Sequence, residues 1–286
     1  MTDRLLAVDV GGSRVKWGTA VRGEVREVRS AASERPLAAL VRQIAKVHAE
    51  FPADDWGLCV PGTLDSKRGV VRVAANLDLR DVNLVDALAE AGLPRPAVFL
   101  NDVAAAALGE AAGGTLALLQ VGTGVAGRFV ADGRVVQGAG GLAGEVGHLR
   151  FRRGGLPCPC GSAGCVEAYA AWGGIRHRYA ERGRAIATPE SLLDDADRDQ
   201  WAASVLAEAF EALGFAAAAL VAVCDPGELR LGGGVAQAWR ERLVASVRQA
   251  LDASVLSDVA AATRVTRSEL GDRAGLLGIA RASGFV

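Results

Sequence analysis

Short, continuous apolar runs recur along the chain, and two of them begin matching segments. LLAVDV near the start and LALLQV from Leu116 each lead into a glycine-rich turn, a second apolar stretch and a tight turn. The tight turns are Arg22-Gly23 and Asp132-Gly133. Such runs are typical of strands buried on both faces. Two strand–turn–strand units about 110 residues apart predict two lobes of similar topology that face a central cleft.

Segments with helical spacing of apolar residues alternate with these runs. Helices are predicted at 36–51, near 86–90, after Asp102 and at 215–224, and further strands at 56–60, 97–100 and 228–231. Alternation of strands and helices indicates an α/β fold. The longest apolar run, 215–224, is too short to span a bilayer and predicts a buried helix.

Bulk composition limits the classes of function. The 286 residues carry a net charge of −1, which gives no electrostatic basis for binding nucleic acid or an anionic membrane. The first strand begins without a basic and apolar leader, and the cysteine count is odd, so a cytoplasmic protein is expected. We predict a small α/β lobe over 1–106, completed by a C-terminal helix at about 272–286, and a large α/β lobe over 107–271.

Three glycine-rich turns are candidate phosphate or nucleotide sites. Gly11-Gly12-Ser13 and Gly122-Thr123-Gly124 would let backbone N–H groups approach an anion closely, although each also suits an ordinary hairpin. Both connect two strands, which excludes the strand-to-helix P-loop. Gly232-Gly233-Gly234 opens a helix, and offers either a phosphate or purine surface or a plain left-handed turn.

Two acidic positions follow predicted strands. Asp9 ends the first strand and could hold Mg²⁺ through water, or cap the turn. Asn101-Asp102 stands where a strand passes into an alanine-rich helix. These two residues could supply a helix N-cap, or Asp102 could be the base that accepts a proton from an alcohol attacking a phosphoryl group.

Three of the five cysteines lie within eight positions of a Gly- and Pro-rich loop. They are Cys158, Cys160 and Cys165, and His148 precedes them by ten residues. Three thiolates and one imidazole fill a tetrahedral zinc site with no open position, which favours a structural zinc. The alternative is three small buried thiols and an unrelated histidine. No C-x-x-C pair is present, which disfavours a redox motif.

The motifs resemble the ROK family (repressors, open reading frames, kinases) in order and spacing over about residues 5–282. They read D-x-G-G-S, P-G, N-D-x-A-A-A, G-T-G, G-E-x-G-H, C-x-C-G-x-x-G-C-x-E and L-G-G-G. The resemblance implies an actin/hexokinase-type ATPase fold with two ribonuclease-H-like lobes and a sugar in the cleft. The family contains sugar kinases and sugar-responsive repressors. Repressors carry a helix-turn-helix before the first strand, which begins here by Leu5, so a kinase is expected.

The resemblance also implies a role for each matching residue. Asp102 would be the catalytic base. The implied sugar ligands are Gly62, Asn76, Asn101, Asp102, Glu145, His148 and Glu167. The implied nucleotide and phosphate ligands are Asp9, Gly11, Gly12, Ser13, Lys16, Gly122, Thr123, Gly124, Gly232, Gly233 and Gly234. The implied zinc ligands are His148, Cys158, Cys160 and Cys165.

The expected reaction is transfer of the γ-phosphoryl group of ATP to a hexose, with glucose favoured and glucose 6-phosphate as product. Mg²⁺ and a structural Zn²⁺ are the expected metals, and a homodimer or dimer of dimers the expected assembly. Alternatives are a kinase for N-acetylmannosamine, fructose or a cyclitol, a polyphosphate-using glucokinase, and a non-catalytic sugar sensor.

The sequence departs from the family pattern at several positions. Ser13 replaces a threonine, Ala126 and Arg128 replace glycines, and 78–80 replaces a segment that usually carries a tryptophan near the sugar. The identity of the sugar is therefore open. Arg14, Lys16 and Arg128 surround the two glycine turns, and either are solvated or add a positive field that would favour polyphosphate as donor.

Overall fold

A computed structural model describes residues 4–21, 24–51, 53 and 55–285, so the predicted turn at Arg22-Gly23 lies outside the described residues. The strands are β1 Arg4–Val10, β2 Arg14–Val21, β3 Glu24–Ala32, β4 Asp55–Val60, β5 Thr63–Asp65, β6 Val70–Ala74, β7 Leu79–Asn83, β8 Val98–Asn101, β9 Leu116–Val121, β10 Val125–Ala131, β11 Arg134–Val135, β12 Glu228–Gly232 and β13 Arg264–Arg267. The helices are α1 Leu37–Glu50, α2 Leu84–Glu90, α3 Asp102–Ala111, α4 Val166–Ala170, α5 Trp172–Glu181, α6 Pro189–Ala196, α7 Gln200–Cys224, α8 Gly234–Ser254, α9 Ser257–Ala262 and α10 Ala274–Ala282. The predicted α/β class is confirmed.

The chain forms two compact units, each built mainly around one five-stranded sheet, and unit 1 also contains a three-stranded sheet of order β5-β6-β7. Unit 1 comprises Met1–Gly114, Asp132–Leu142 and Asp272–Val286, and unit 2 comprises Thr115–Ala131 and Ala143–Gly271. Two stretches that the sequence analysis assigned to the large lobe, 107–114 and 132–142, therefore belong to unit 1.

The packing of α3 on α10 explains the first of these stretches. α3 runs on to Ala111, and it meets α10 at two glycines. A Cβ atom at Gly278 would lie 1.7 Å from Ala105 O, and one at Gly109 would lie 2.0 Å from Ala274 O. Only glycine allows the two helices this close, because any larger residue would push the backbones apart. α3 therefore belongs as a whole with α10.

The five-stranded sheet of unit 1 has the order β3-β2-β1-β4-β8. β1 pairs antiparallel with β2, as the predicted hairpin requires, and parallel with β4, which pairs parallel with β8. The register sets Asp9 opposite Cys59, and Val60 opposite Asn101. The carboxyl ends of three parallel strands therefore meet at one edge, where ligands of α/β sheets commonly bind.

The sheet of unit 2 repeats this arrangement. β9 and β10 form an antiparallel hairpin, β12 pairs parallel with β9, and β13 pairs parallel with β12. Val121 opposes Val125 across the second glycine turn, as Val10 opposes Val15 across the first. The internal repeat predicted from the apolar runs is thus present in both topology and register.

Among the described helices, α7 alone is long and apolar enough to cross a membrane by length and composition. Of its most apolar 18-residue window, 61% is buried, and it packs against α4, α6 and α8. Leu213 and Val221 are fully buried in the core of unit 2. The predicted buried segment 215–224 is the second half of this helix.

Candidate active site

Asp9 and Lys16 form an ion-pair cluster at the edge of the unit 1 sheet. Lys16 Nζ lies 2.8 Å from Asp272 Oδ1 and 4.0 Å from Asp9 Oδ2. Asp9 Oδ1 also accepts a hydrogen bond from the Cys59 thiol at 3.2 Å. Burial raises the pKa of Asp9, and the charge of Lys16 opposes that shift. Burial alone would lower the pKa of Lys16, but the hydrogen bond to Asp272 and the charge of Asp9 raise it.

The start of α10 closes one side of this cluster. A Cβ atom at Gly275 would lie 2.9 Å from Asp9 Oδ2, so the first turn of α10 lies directly against the carboxylate. The sequence analysis missed both Asp272 and Gly275. The available signal was the segment G-D-R-A-G just before the last apolar helix, which places an acid and a small residue at a helix start.

The structure separates the roles of Asn101 and Asp102. Asn101 is the N-cap of α3, because its Oδ1 accepts from Ala104 N at 3.0 Å. Its Nδ2 donates to Gly62 O at 3.0 Å and to Asp102 Oδ1 at 3.1 Å, which uses both amide hydrogens. Asp102 is the first helical residue, and its Oδ1 also accepts from Val103 N at 2.9 Å. Asn101 therefore caps the helix and orients Asp102, with only a carbonyl lone pair left to offer a ligand.

The first glycine turn is tied to the segment that carries Asn76. A Cβ atom at Gly12 would lie 2.7 Å from Asn76 Cβ. Arg35 joins the two segments, since its Nη2 donates to Gly12 O at 2.8 Å and to Asn76 O. Its Nη1 lies 3.3 Å from Asp78 Oδ2, and Asp78 is one of the departures from the family pattern. The sequence analysis missed Arg35, because nothing local distinguishes it from other surface arginines.

The second glycine turn is held by Glu167. Glu167 Oε2 accepts from Val125 N at 2.9 Å, and a Cβ atom at Gly124 would lie 2.6 Å from the same oxygen. A cavity of about 460 Å³ adjoins this turn and is lined in part by Thr123, Cys158 and Glu167. The predicted sugar ligand Glu167 thus holds the second glycine turn through one of its oxygens.

The triple glycine opens α8 as predicted and lies against the end of β9. Gly233 has φ of +89° and is the N-cap residue. A Cβ atom there would lie 2.2 Å from Val121 O, so the position requires glycine on both conformational and steric grounds. The N-terminus of α8 and the Gly122 turn are therefore neighbours in unit 2.

Arg128 corrects one sequence interpretation. Its side chain is only 4% exposed, so it is not solvated. Its Nη2 donates to Glu145 Oε1 at 2.8 Å, so it is not a free cation beside the glycine turn. Arg14 is exposed and bonds to Ser30, and Lys16 is bound to two carboxylates. The interpretation failed because strand alternation says nothing about a partner on a distant loop.

The predicted zinc ligands come together within unit 2. One ligand atom from each of His148, Cys158, Cys160 and Cys165 lies within 4.8 Å of all the others. Cys160 Sγ is 3.8 Å from Cys165 Sγ, and Cys158 Sγ is 3.9 Å from His148 Nδ1. A tetrahedral zinc with Zn–S bonds of about 2.3 Å separates two sulfurs by about 3.8 Å. The four side chains therefore fit zinc in both chemistry and spacing.

The three thiols of this cluster differ in how readily they lose a proton. Burial raises the pKa of Cys158 to about 12 and raises that of Cys165, whereas a hydrogen bond with the backbone of Ser162 lowers that of Cys160. Zinc must displace protons from the two buried thiols, since only thiolates are strong ligands. With Nδ1 of His148 directed at Cys158, Nε2 is the ring nitrogen that remains for another partner.

The candidate residues thus form two groups, one in each unit. The group in unit 1 contains Asp9, Gly11, Gly12, Ser13, Lys16, Gly62, Asn76, Asn101 and Asp102. The group in unit 2 contains Gly122, Thr123, Gly124, Glu145, His148, Cys158, Cys160, Cys165, Glu167, Gly232, Gly233 and Gly234.

Comparisons with known proteins bear on the whole chain. The model of the ROK family matches residues 5–282. The chain is 31% identical to a glucokinase of Halalkalibacterium halodurans, over 97% of this chain and 94% of that protein. The crystal structure of a ROK hexokinase from Thermus thermophilus superposes with a TM-score of 0.79 at 31% identity, covering 97% of each chain. That of a ROK family glucokinase from Streptomyces griseus, in complex with glucose and AMPPNP, gives 0.80 at 28% identity and 98% of each chain.

These similarities extend over both units and leave no long segment unmatched. The two related sheets and the superpositions confirm the predicted actin/hexokinase-type ATPase fold. The chain belongs to the ROK family.

Proposed function

We propose that this protein is a hexokinase of the glucokinase type, which transfers the γ-phosphoryl group of ATP to glucose and yields glucose 6-phosphate. The similarity to glucokinases and to a ROK hexokinase supports this activity. The observation that carries it is the placement of Asp102. Asn101 supplies the cap of α3, so Asp102 is not needed as a cap and its carboxylate stands at the sheet edge that also holds Asp9.

Asp102 is the proposed general base. Its carboxylate accepts the proton of the attacking sugar hydroxyl as the bond to phosphorus forms. Asn101 and the first backbone N–H group of α3 hold Oδ1 in place, which fixes the carboxylate before substrate binds. Most of the remaining rate enhancement comes from positioning and from neutralising phosphate charge.

The donor side is assigned to Asp9, Lys16 and the glycine turns. Asp9 is the residue that would hold Mg²⁺ through water, and the ion would supply positive charge against the donor phosphates. Lys16 fixes the Asp9 carboxylate, which is otherwise costly to bury. Backbone N–H groups at both glycine turns and at the start of α8 are the proposed phosphate and nucleotide contacts.

The sugar side is assigned to Glu145, His148 and Glu167, together with Gly62, Asn76 and Asn101. Carboxylates accept hydrogen bonds from neighbouring hydroxyls, and an imidazole N–H donates one, so a polyol is satisfied by this set. Structural zinc would fix the tautomer and orientation of His148 through Nδ1, which leaves Nε2–H as the donor.

Glucose is expected to give the highest kcat/KM in a panel that also contains fructose, N-acetylmannosamine and a cyclitol. ADP release measures turnover, and glucose-6-phosphate dehydrogenase identifies the product. A higher value for another member of the panel would replace glucose as the substrate. Absence of ADP release with every member, in folded and zinc-loaded protein, would favour the polyphosphate-using kinase or the non-catalytic sensor.

ATP is expected to be the donor, with kcat/KM for polyphosphate at least about tenfold lower. Lys16 is bound to two carboxylates and Arg128 to one, so neither adds an uncompensated positive charge for a long polyanion. The comparison is made with both donors at equal phosphate concentration and saturating glucose. Equal or greater activity with polyphosphate would overturn this assignment.

A cytoplasmic homodimer or dimer of dimers is the proposed state in the cell. The assembly is proposed from the family resemblance, and the cytoplasmic location from the odd number of cysteines. Sedimentation equilibrium of the purified protein tests the assembly, and a monomer at micromolar concentration would overturn it.

A further inference from the structure

Arg128 is a charged side chain in the interior of unit 2. Its side chain is 4% exposed, whereas that of its partner Glu145 is 34% exposed. It stands in β10, directly opposite Leu118 of β9, where an apolar residue would be expected. Burying an ionised guanidinium costs several kcal/mol unless its donors find acceptors. The groups that accept hydrogen bonds from Arg128 therefore indicate the role of this buried side chain.

Two of the three acceptors of Arg128 lie on the loop that carries Glu145, and the third lies in β10. Nη1 donates to Gly127 O at 2.7 Å and to Ala143 O at 3.1 Å, and Nη2 donates to Glu145 Oε1 at 2.8 Å. The same loop is bonded to β10 through the backbone, since Gly127 N donates to Gly144 O at 2.7 Å. Gly144 has φ of +94°, and a Cβ atom there would lie 2.1 Å from Gly127 O. The loop is thus held on β10 by a backbone contact that requires glycine and by the guanidinium.

These contacts define what the Glu145 carboxylate can offer. Oε1 is bound to Arg128, and Oε2 has no hydrogen-bond partner among the residues that the structure describes. The Arg128 guanidinium is planar and its N–H groups have fixed directions, so the bond to Oε1 holds the Glu145 carboxylate in one orientation. A side chain that is fixed before its ligand arrives loses less conformational entropy on binding.

We propose that Arg128 is a positioning residue for the acceptor sugar. It holds Glu145 through Oε1 so that Oε2 accepts a hydrogen bond from a sugar hydroxyl. This inference rests on the proposed sugar-kinase function and assigns Arg128 to the sugar, where the sequence analysis considered only the phosphoryl donor.

Arg128→Met removes the guanidinium and keeps an apolar stem of similar length. We expect the KM for the sugar to rise at least about tenfold, which corresponds to about 1.4 kcal/mol. The KM for ATP should stay within about threefold, and kcat should change less than the sugar KM, because the lost contact acts on sugar binding. Steady-state kinetics with each substrate varied gives the comparison.

A double-mutant cycle with Glu145→Gln separates positioning from general stability. In the Glu145→Gln background the ligand oxygen is already replaced by an amide nitrogen, so Arg128→Met should raise the sugar KM by less than about threefold more. Arg178→Met is the matched control, since Arg178 is another poorly exposed arginine of unit 2, paired with Glu208 at 2.5 Å. It should lower the melting temperature without changing the sugar KM.

An equal effect of Arg128→Met in both backgrounds, or an equal rise in both KM values, would reduce Arg128 to a role in folding. If Arg128→Met fails to fold by circular dichroism, Arg128→Lys enters the same cycle with the same expectations at smaller amplitude. If the wild type phosphorylates no sugar, the proposed kinase function is wrong, but the positioning role of Arg128 is not yet tested by that result. Calorimetric binding of glucose to wild type and Arg128→Met then still tests the positioning role.

Discussion

Asp102→Asn is expected to lower kcat by about 10²- to 10⁴-fold and to leave sugar affinity within about threefold. The amide keeps an oxygen that can accept the hydrogen bonds from Asn101 and Val103, so the start of α3 should be unchanged. It cannot accept a proton from the attacking hydroxyl. Single-turnover kinetics measures the chemical step, and calorimetry measures sugar binding.

Asp86→Asn is the matched control for this variant. Asp86 also lies in the first turn of a helix, and it accepts a hydrogen bond from the cap residue Asn83 at 2.5 Å. It should retain wild-type kcat, because it has no proposed part in proton transfer. Near-normal turnover in Asp102→Asn would remove the base from the mechanism and leave Asp102 with a structural role in α3.

Purified protein is expected to contain about one zinc per chain, and Cys160→Ser to lose both the metal and at least about tenfold in sugar affinity. The loss should be joint because His148 is proposed as a ligand of both zinc and the sugar, and Glu167, another proposed sugar ligand, follows Cys165 by two residues. Elemental analysis gives the metal content, and calorimetry gives the affinity for glucose.

Cys224→Ser provides the control for loss of a thiol. Cys224 lies at the end of α7 and takes no part in the four-ligand cluster, so this variant should keep its zinc and its sugar affinity. Zinc-free protein that binds glucose as tightly as the wild type would show that the cysteine loop does not orient the sugar ligands.

The fold was largely predictable because its signals are local. Continuous apolar runs ending at glycine turns located both hairpins, and their similarity predicted the repeated sheet. The grouping of His148 with three cysteines was predictable for the same reason, since the three cysteines are close in sequence. The division into lobes was harder, because the end of α3 is decided by its packing against α10, which lies near the other end of the chain.

Features that depend on residues distant in the chain could not be predicted from the sequence. The pattern could not tell whether Asn101 or Asp102 caps α3, because the answer depends on which side chain reaches the backbone of the first turn. Asp272 was missed since its pairing with Lys16 joins opposite ends of the chain. The environment of Arg128 was predicted wrongly. Alternation along a strand predicts the side of the sheet to which a residue points, but it does not predict that a carboxylate from another segment lies on that side.

The late position of α10 in the chain has a consequence for biosynthesis. α10 is made only after all of unit 2, yet it supplies Gly275 against Asp9 and the fully buried side chains Leu276 and Ile279 of unit 1. At about 5–20 residues per second, the first 114 residues wait about 10–30 s on the ribosome for this helix. During that interval the face of α3 that packs on α10 lacks its partner helix, so this part of nascent unit 1 stays exposed. If synthesis stops between the end of unit 2 and α10, the released chain contains all of unit 2 but lacks the residues of α10 that lie against Asp9.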